Sequence, residues 1–351
     1  MKPRIGINGF GRIGRAIFRI NQKYGLFDIA AINDVNPDKR NIAYLLKYDT
    51  TYGKAPFDVA ANDHSLIADG KQTALYHQQS IADVPWDAHG AEVVVDASGI
   101  HKNLQDMEKL RGRVRNFIVT NIPHEVKHSV IFGCNEDALD PKNNFIISAN
   151  ICDAIATGPI LRVIESARRI TSGFLTTLHP WLSYQNLVDG ASASWSRPGD
   201  IFSHYALGRA SPMNIIPKST SAMYAVELAM PHLTNKIFSH SFRVPTSIVS
   251  CADLILTIDR ELSREELIRL FEDFEQKQQH KIIRNSTEPL TSLDYKGEEY
   301  SAIIDHRWTK VIDGKTIKLV YWYDNEWGYS CRVVDLLKRL SDLYERTPKS
   351  L

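Results

Sequence analysis

The feature that most constrains this chain is the run Gly9-Phe10-Gly11-Arg12-Ile13-Gly14, set directly after the short apolar stretch Arg4-Ile5-Gly6-Ile7-Asn8. Alone, a G-x-G-x-x-G run is weak evidence; between a buried strand and a helix it specifies a strand–turn–helix unit that cradles a dinucleotide. A helical period follows at Ile13, Ala16, Ile17 and Ile20, and a second strand, Asp28-Ile29-Ala30-Ala31-Ile32, ends at Asn33-Asp34. The carboxylate of Asp34 thus falls about 20 residues beyond the glycines, where such folds bind a ribose. Gly9 permits the tight turn, Gly11 lets backbone N–H groups approach a diphosphate, and Gly14 lets helix and strand pack closely. The diphosphate would rest on the helix N-terminus, where free N–H groups and the dipole favour anions. Asp34 would accept from ribose hydroxyls and repel a 2′-phosphate, so the expected cofactor is NAD rather than NADP.

Further along, Val93-Val94-Val95-Asp96, Asn116–Thr120 and Val130–Gly133 are short, continuous apolar runs that suit parallel strands buried on both faces. After about residue 150 the character changes. A helical pattern covers roughly 153–169, and Thr171–His179, Phe242–Ile258 and Lys315–Trp322 read as longer alternating strands of an antiparallel sheet with one covered face. Ser263-Arg264-Glu265-Glu266 has capping-box spacing ahead of Leu267, Leu270, Phe271 and Phe274, and Val333, Leu336, Leu337, Leu340 and Tyr344 mark a C-terminal helix. The expected fold class is α/β: a doubly wound, Rossmann-type NAD-binding domain over 1–151, then an α+β catalytic domain with a mostly antiparallel sheet over 152–330.

Composition narrows the partners. Forty-two Lys and Arg face 41 Asp and Glu, a net charge of +1, which offers nucleic acid or a membrane surface no bulk attraction. No apolar run reaches membrane-span length, and the N-terminus lacks a secretory pattern, so a cytoplasmic location is expected. The four cysteines, Cys134, Cys152, Cys251 and Cys331, are widely spaced and contain no CxxC pair, which suits reduced thiols.

One of them stands in a chemical setting. Cys152 follows a strand end, Ile147-Ser148-Ala149-Asn150-Ile151, and opens a helix, whose N-terminus favours a thiolate. His179, at a strand end in Thr176-Thr177-Leu178-His179-Pro180, can pair with that sulfur and shuttle a proton. Arg243 in Phe242-Arg243-Val244-Pro245-Thr246 suits an anion held bidentately.

With these segments in view, the chain resembles the glyceraldehyde-3-phosphate dehydrogenase family. The stretches 7–15 (INGFGRIGR), 45–53 (LLKYDTTYG), 214–220 (NIIPKST), 242–246 (FRVPT) and 323–330 (YDNEWGYS) are similar to family motifs in the same order. The resemblance implies Cys152 as nucleophile with His179 as its partner, Asn325 on the nicotinamide amide, and Ser98-Gly99 beside the cofactor. It implies that the C-terminal helix, about 331–351, returns to the cofactor domain. It also implies an aldehyde substrate and a homotetramer, in which a loop at about 180–214 packs against a neighbouring subunit's cofactor.

The departures from the family pattern are local. Where the family has Ser-Cys-Thr-Thr-Asn-Cys, this chain has Ile151-Cys152-Asp153-Ala154-Ile155-Ala156. The family's serine and threonine hydrogen-bond the attacking phosphate; Ile151 has no such donor, and ionised Asp153 would repel a dianion. Of that phosphate site only Thr220 remains. Of the second anion site, Arg243 remains while Leu182 replaces a threonine. Oxidation of an anionic aldehyde is therefore expected, with release of the acyl group to water or another non-phosphate acceptor that Asp153 orients. Asp153 should also raise the Cys152 pKa. Phosphorolysis, or an NAD-binding protein without catalysis, are the alternatives. His124-Glu125-Val126-Lys127-His128 spells a zinc-protease pattern, but Pro123 before it and the apolar run after it leave no room for the helix that pattern needs, and no metal is expected.

Overall fold

The computed structural model describes residues 2–346, which divide into two compact units. The first comprises the chain up to His128, Leu139–Ala149 and the residues from Ser330 on; the second comprises Ser129–Ala138 and Asn150–Tyr329.

In the first unit β1 (Arg4–Asn8), α1 (Arg12–Tyr24), β2 (Asp28–Asn33) and α2 (Lys39–Lys47) are followed by β3 (Val59–Ala61), β4 (Ser65–Ala68) and β5 (Lys71–Tyr76). Then come β6 (Val93–Asp96), α3 (Asn103–Glu108), β7 (Asn116–Val119) and β8 (Ile146–Ser148). The sheet order is β3-β4-β5-β2-β1-β6-β7-β8, parallel from β5 to β8 with an antiparallel β3–β4–β5 edge. Chain order reverses between β1 and β6, and it is outside the carboxyl ends at such a switch point that doubly wound sheets bind ligands. The β1, β2 and β6 strand ends are tied by a buried amide network: Asn33 Nδ2 donates to Asn8 Oδ1 at 2.8 Å and Asn8 Nδ2 to Asp96 Oδ1 at 2.9 Å. The core beneath holds Val94, Trp86, Met107 and Phe117 with no exposed surface; full burial of one such side chain stabilises by about 1.5–3 kcal/mol. Helix α1 stops where Gly25 takes a left-handed conformation, and Lys23 lies in its last turn.

The run Val130–Gly133, expected as a strand, is not one: it leads into a turn and belongs to the second unit. Gly133 N donates to the Glu136 carboxylate at 2.9 Å, and Asn135 Oδ1 accepts from Ile131 N, so side chains take up backbone groups that a ladder would have used. Residues 124–128 form a turn followed by irregular chain, not a helix.

The second unit holds α4 (Cys152–Glu165), β9 (Ile170–Pro180), β10 (Ile216–Ser219), α5 (Ala222–Ala229), β11 (Ile237–Val244) and β12 (Ser250–Ile258). It continues through α6 (Arg264–Lys277), β13 (Ile283–Ser286), β14 (Ala302–Asp305), β15 (Lys310–Ile312), β16 (Thr316–Tyr323) and the start of α7 (Trp327–Arg346). Its sheet runs β10-β11-β9-β12-β16-β14-β13, with β15 beside β16; most pairings are antiparallel, and β9–β11 and β13–β14 are parallel. The stretch expected as one strand over Phe242–Ile258 breaks at 245–249, where Pro245 cannot donate to a ladder and Val249 takes a positive φ of 70°. Helix α4 ends at Glu165, short of the expected 169. The capping box at Ser263 and Glu266 forms. No helix among the described residues is long and apolar enough to cross a membrane.

Candidate active site

In the first unit the glycine turn has the conformation its sequence requires. Gly9 sits at φ +85°, and a side chain there would collide with the Ser98 backbone at 2.5 Å. A Cβ on Gly14 would fall 2.2 Å from the Gly9 carbonyl oxygen, so helix and turn touch through that bare position. Gly11 has nothing within 4 Å of its would-be Cβ and caps α1 in extended conformation, at the helix N-terminus, where the dipole favours an anion. Asp34 Oδ2 accepts from Phe10 N at 2.7 Å and Oδ1 from Asn36 N at 2.9 Å, which fixes the carboxylate against the turn. Arg12 pairs with Asp49 at 2.5 Å. Ser98 Oγ donates to Asp96 Oδ1 at 2.6 Å, and Gly99 follows with φ +71°. Gly9, Phe10, Gly11, Arg12, Ile13, Gly14, Asp34, Ser98 and Gly99 therefore gather around one strand-end turn. These residues fit a dinucleotide: an open helix terminus for the diphosphate and a positioned carboxylate for a ribose.

In the second unit Asn150, at φ +66°, turns the chain into α4; Ile151 N donates to its Oδ1 at 2.9 Å, and Tyr329 Oη donates to its carbonyl at 3.0 Å. The turn places Cys152 and Asp153 in the first helical turn, facing the sheet. On that sheet Arg243 of β11 and His179 of β9 are register partners, and Ser250 of β12 lies opposite Tyr323 of β16. Cys152 Sγ lies 3.5 Å from His179 Nε2 and 3.4 Å from Asp153 Oδ1. His179 Nδ1 donates to the Pro180 carbonyl at 2.8 Å, so in the neutral ring Nε2 is the open acceptor toward the sulfur.

Asp153 is a buried carboxylate with a hydroxyl donor on each oxygen. Tyr323 Oη donates to Oδ1 at 2.8 Å and Thr220 Oγ1 to Oδ2 at 3.2 Å. Burial works to raise its pKa, but His179, the Tyr323 hydroxyl, Arg243 and Lys218 outweigh it and hold the carboxyl low. Around this fixed negative charge the neighbours shift. Burial, then Asp153, push the Cys152 thiol well above its ordinary value, against the lowering pull of Arg243. The expected gain from the helix N-terminus is overridden. Burial and Arg243 push His179 down to about 4, although Asp153 opposes this. The free pair is thus a neutral thiol beside a neutral imidazole. The sulfur, carboxylate and imidazole atoms lie within 4.8 Å of one another, a donor set that a thiophilic divalent ion can also use.

Arg243 is 6 % exposed; its Nε has no partner, and Nη2 reaches Tyr184 Oη only at 3.4 Å. Asn325, in the turn between β16 and α7, is buried with Oδ1 unpartnered, ready to accept from an amide. Cys134, Cys251 and Cys331 form no disulfide and lie elsewhere in the fold; burial raises Cys134, and pushes Cys251 up to about 12.

Two residues at this site were not among the expected ones. Tyr323 lies inside a motif read for Asn325. Lys218 lies two positions before Thr220, and the alternation of a strand would have set both on one face.

Residues 3–104 match the family model for the glyceraldehyde 3-phosphate dehydrogenase NAD binding domain, and residues 151–325 match that for its C-terminal domain. Among curated proteins, glyceraldehyde-3-phosphate dehydrogenase 1 of Bacillus cereus is 36% identical over 334 residues, covering 95% of this chain and 97% of its own. The enzyme of Geobacillus stearothermophilus is 34% identical over 337 residues (96% and 97%), and the cytosolic enzyme of Gracilaria gracilis is 34% identical over 341 (97% and 99%).

Proposed function

The chain belongs to the glyceraldehyde-3-phosphate dehydrogenase family of NAD-dependent oxidoreductases, and on that premise we propose that it oxidises an anionic aldehyde through a thioacyl enzyme on Cys152 and releases the acyl group to a non-phosphate acceptor, water in the simplest case. The observation that carries this reading is Asp153. Its carboxylate takes the Thr220 and Tyr323 hydroxyls for itself, at 3.2 and 2.8 Å. A phosphate attacking at this point would find those hydroxyls engaged, Ile151 without a side-chain donor, and a fixed negative charge. At ~4 Å and an effective dielectric near 20, one unit charge repels another by about 4 kcal/mol.

The steps follow from the geometry. Cys152 Sγ attacks the carbonyl carbon, forming the C–S bond, and its proton passes through His179 Nε2 to the carbonyl oxygen. The Gly9–Gly14 turn, Asp34, Ser98 and Gly99 would hold NAD, with Asn325 proposed to accept from its amide, and NAD when bound would supply the hydride acceptor. His179 Nε2 takes the hydroxyl proton as the C–H bond is broken, and the negative Asp153 stabilises the imidazolium that results. Asp153 then accepts a proton from the attacking water as the C–S bond breaks and the sulfur leaves. Arg243 holds the anionic end of the substrate.

A second reading, a family member that binds NAD without turning over, is favoured by one observation: the neutral thiol–imidazole pair, with Cys152 pushed up and His179 down to about 4. Ordinary phosphorolysis is carried by the names of the relatives. The deciding experiment is an aldehyde panel followed by NADH absorbance, with and without phosphate or arsenate. Turnover independent of phosphate supports the proposal; a strict phosphate requirement overturns it, and no turnover with any aldehyde favours the second reading.

The assembly proposed is a cytoplasmic homotetramer. The outer face of the second sheet supports self-association, because Phe174 and Phe238, register partners on β9 and β11, are 61 % and 64 % exposed. The loop before β10 adds Leu187, Val188, Trp195 and Tyr205, all exposed. Sedimentation of the wild type against Phe238→Glu tests this; a wild-type monomer overturns it.

A further inference from the structure

The side of Asp153 turned toward β10 and β11 carries two cations and no spare carboxylate. Lys218 pairs with Ser241 across β10 and β11, and Ser241 lies two residues from Arg243, so all three share the face of the sheet that bears His179. Thr177 Oγ1 donates to Ser241 Oγ at 2.8 Å, which fixes that face as the one turned inward. Among the described residues the Lys218 ammonium has no ion pair or hydrogen bond, and the buried Arg243 guanidinium has only its long contact to Tyr184, with Nε unpartnered. The one carboxylate facing them, Asp153, is occupied by Tyr323, Thr220 and the Cys152 thiol. The single negative charge of Asp153 thus faces two cations, the buried Arg243 and the partly buried Lys218, and the positive charge left over is matched by an anion that arrives from outside.

We propose that Lys218 and Arg243 form one two-cation subsite for the anionic terminus of the substrate, and that Lys218 is a specificity-determining residue of this enzyme. The proposal rests on the reading of Cys152 as the reactive centre only for its first test, not for its second. The terminus is a phosphate or a carboxylate; both match a point charge beside a guanidinium fork.

The subsite carries its own pH dependence. Burial, then Arg243, lower the Lys218 ammonium to about 8, while Asp153 and Cys152 on α4 work to raise it; His179 on β9 faces the same space as a neutral ring. Lys218 is therefore mostly charged near pH 7, and its anion capture fades as pH rises through about 8.

The first test compares alkylation of Cys152 in the full-length protein by iodoacetate and by iodoacetamide, followed by mass spectrometry. The ratio of the two rates cancels the ionisation of the thiol itself and reads only the charge of the subsite. The ratio falls about tenfold in Lys218→Met, falls as pH passes 8 in the wild type, and stays level across that range in Lys218→Arg. A ratio unchanged by Lys218→Met overturns the proposal; a Cys152 inert to both reagents counts against the catalytic reading instead. The second test needs no reactivity: glycerol 3-phosphate and glycerate are titrated calorimetrically into wild type, Lys218→Met and Lys218→Arg at pH 7. Binding of either probe, weakened about tenfold by Met and retained by Arg, supports the subsite and identifies its anion. Absence of binding by both, or equal binding in all three proteins, overturns it.

Discussion

Tyr323, the last residue of β16, donates its phenolic proton to Asp153 in the first turn of α4, at 2.8 Å. The bond spans 170 positions of sequence and holds a negative charge beside the sulfur of Cys152. It makes Asp153 part of the fold rather than a solvated helix-start carboxylate, and after burial the charge of Asp153 is what most raises the Cys152 thiol.

The first prediction concerns that charge. In Asp153→Asn the amide keeps the shape and removes both the Coulombic and the hydrogen-bond contributions that raise the Cys152 thiol. Each unit by which the thiol pKa falls gives about tenfold more thiolate at a fixed pH below it. Alkylation of Cys152 by iodoacetamide at pH 7 is therefore expected to accelerate at least tenfold. An unchanged rate would show that burial alone sets the thiol.

Asp153→Thr addresses the acceptor. Threonine supplies a hydroxyl donor, removes the repulsion and releases the hydroxyl of Thr220, whose present partner is Asp153. NADH formation by this variant is expected to gain a dependence on added phosphate that the wild type lacks, with a several-fold rise in rate. Equal phosphate response in both proteins removes Asp153 as the determinant.

The dinucleotide half was legible because its signal is local: strand, glycines, helix and acid lie within 34 residues, and each is dictated by its own backbone requirement. Cys152 and His179 were legible by their settings at a helix start and a strand end. Lys218 and Tyr323 were not, because their positions depend on register between strands far apart in sequence. Only the pairing of β10 with β11 sets Lys218 opposite Ser241, and only that of β12 with β16 sets Tyr323 opposite Ser250. Likewise Val130–Gly133 has strand composition, yet Asn135 and Glu136 side chains compete for its backbone N–H groups.

Stability should fall with acid before the carboxylates titrate. Burial leads the causes that hold His179 and His306 down to about 4, against about 6.5 in an unfolded chain. Between those values the unfolded chain binds protons that the folded one refuses, so this stability is complete above pH 6.5 and is lost as pH falls toward 4. Each histidine contributes at most about 3 kcal/mol to that loss. His306, bonded to Thr309 and Asn285 through its two ring nitrogens, is the cleaner site to alter. Urea unfolding at pH 7.5 and pH 5 is expected to show a lower midpoint at pH 5, and His306→Gln to narrow the gap. Equal midpoints at both pH values would falsify this account.

The glycine turn separates folding from cofactor binding, since two of its positions differ in what a methyl group meets. In Gly14→Ala the new carbon falls 2.2 Å from the Gly9 carbonyl oxygen, which is backbone and can yield only by moving the turn. Overpacking of this kind costs about 1–3 kcal/mol or more, and a drop in melting temperature should accompany any loss of NAD binding. In Gly11→Ala the carbon meets nothing within 4 Å, and the φ of −72° suits alanine. The fold should lose no more than the roughly 1 kcal/mol that an alanine costs at a helix N-cap. The methyl group, however, is added at the N-cap of α1, where the diphosphate is proposed to lie. NAD affinity, followed by quenching of tryptophan fluorescence, is expected to fall at least tenfold in Gly11→Ala while its melting temperature stays close to wild type. If instead Gly11→Ala binds NAD as the wild type does, the diphosphate does not rest on that helix terminus.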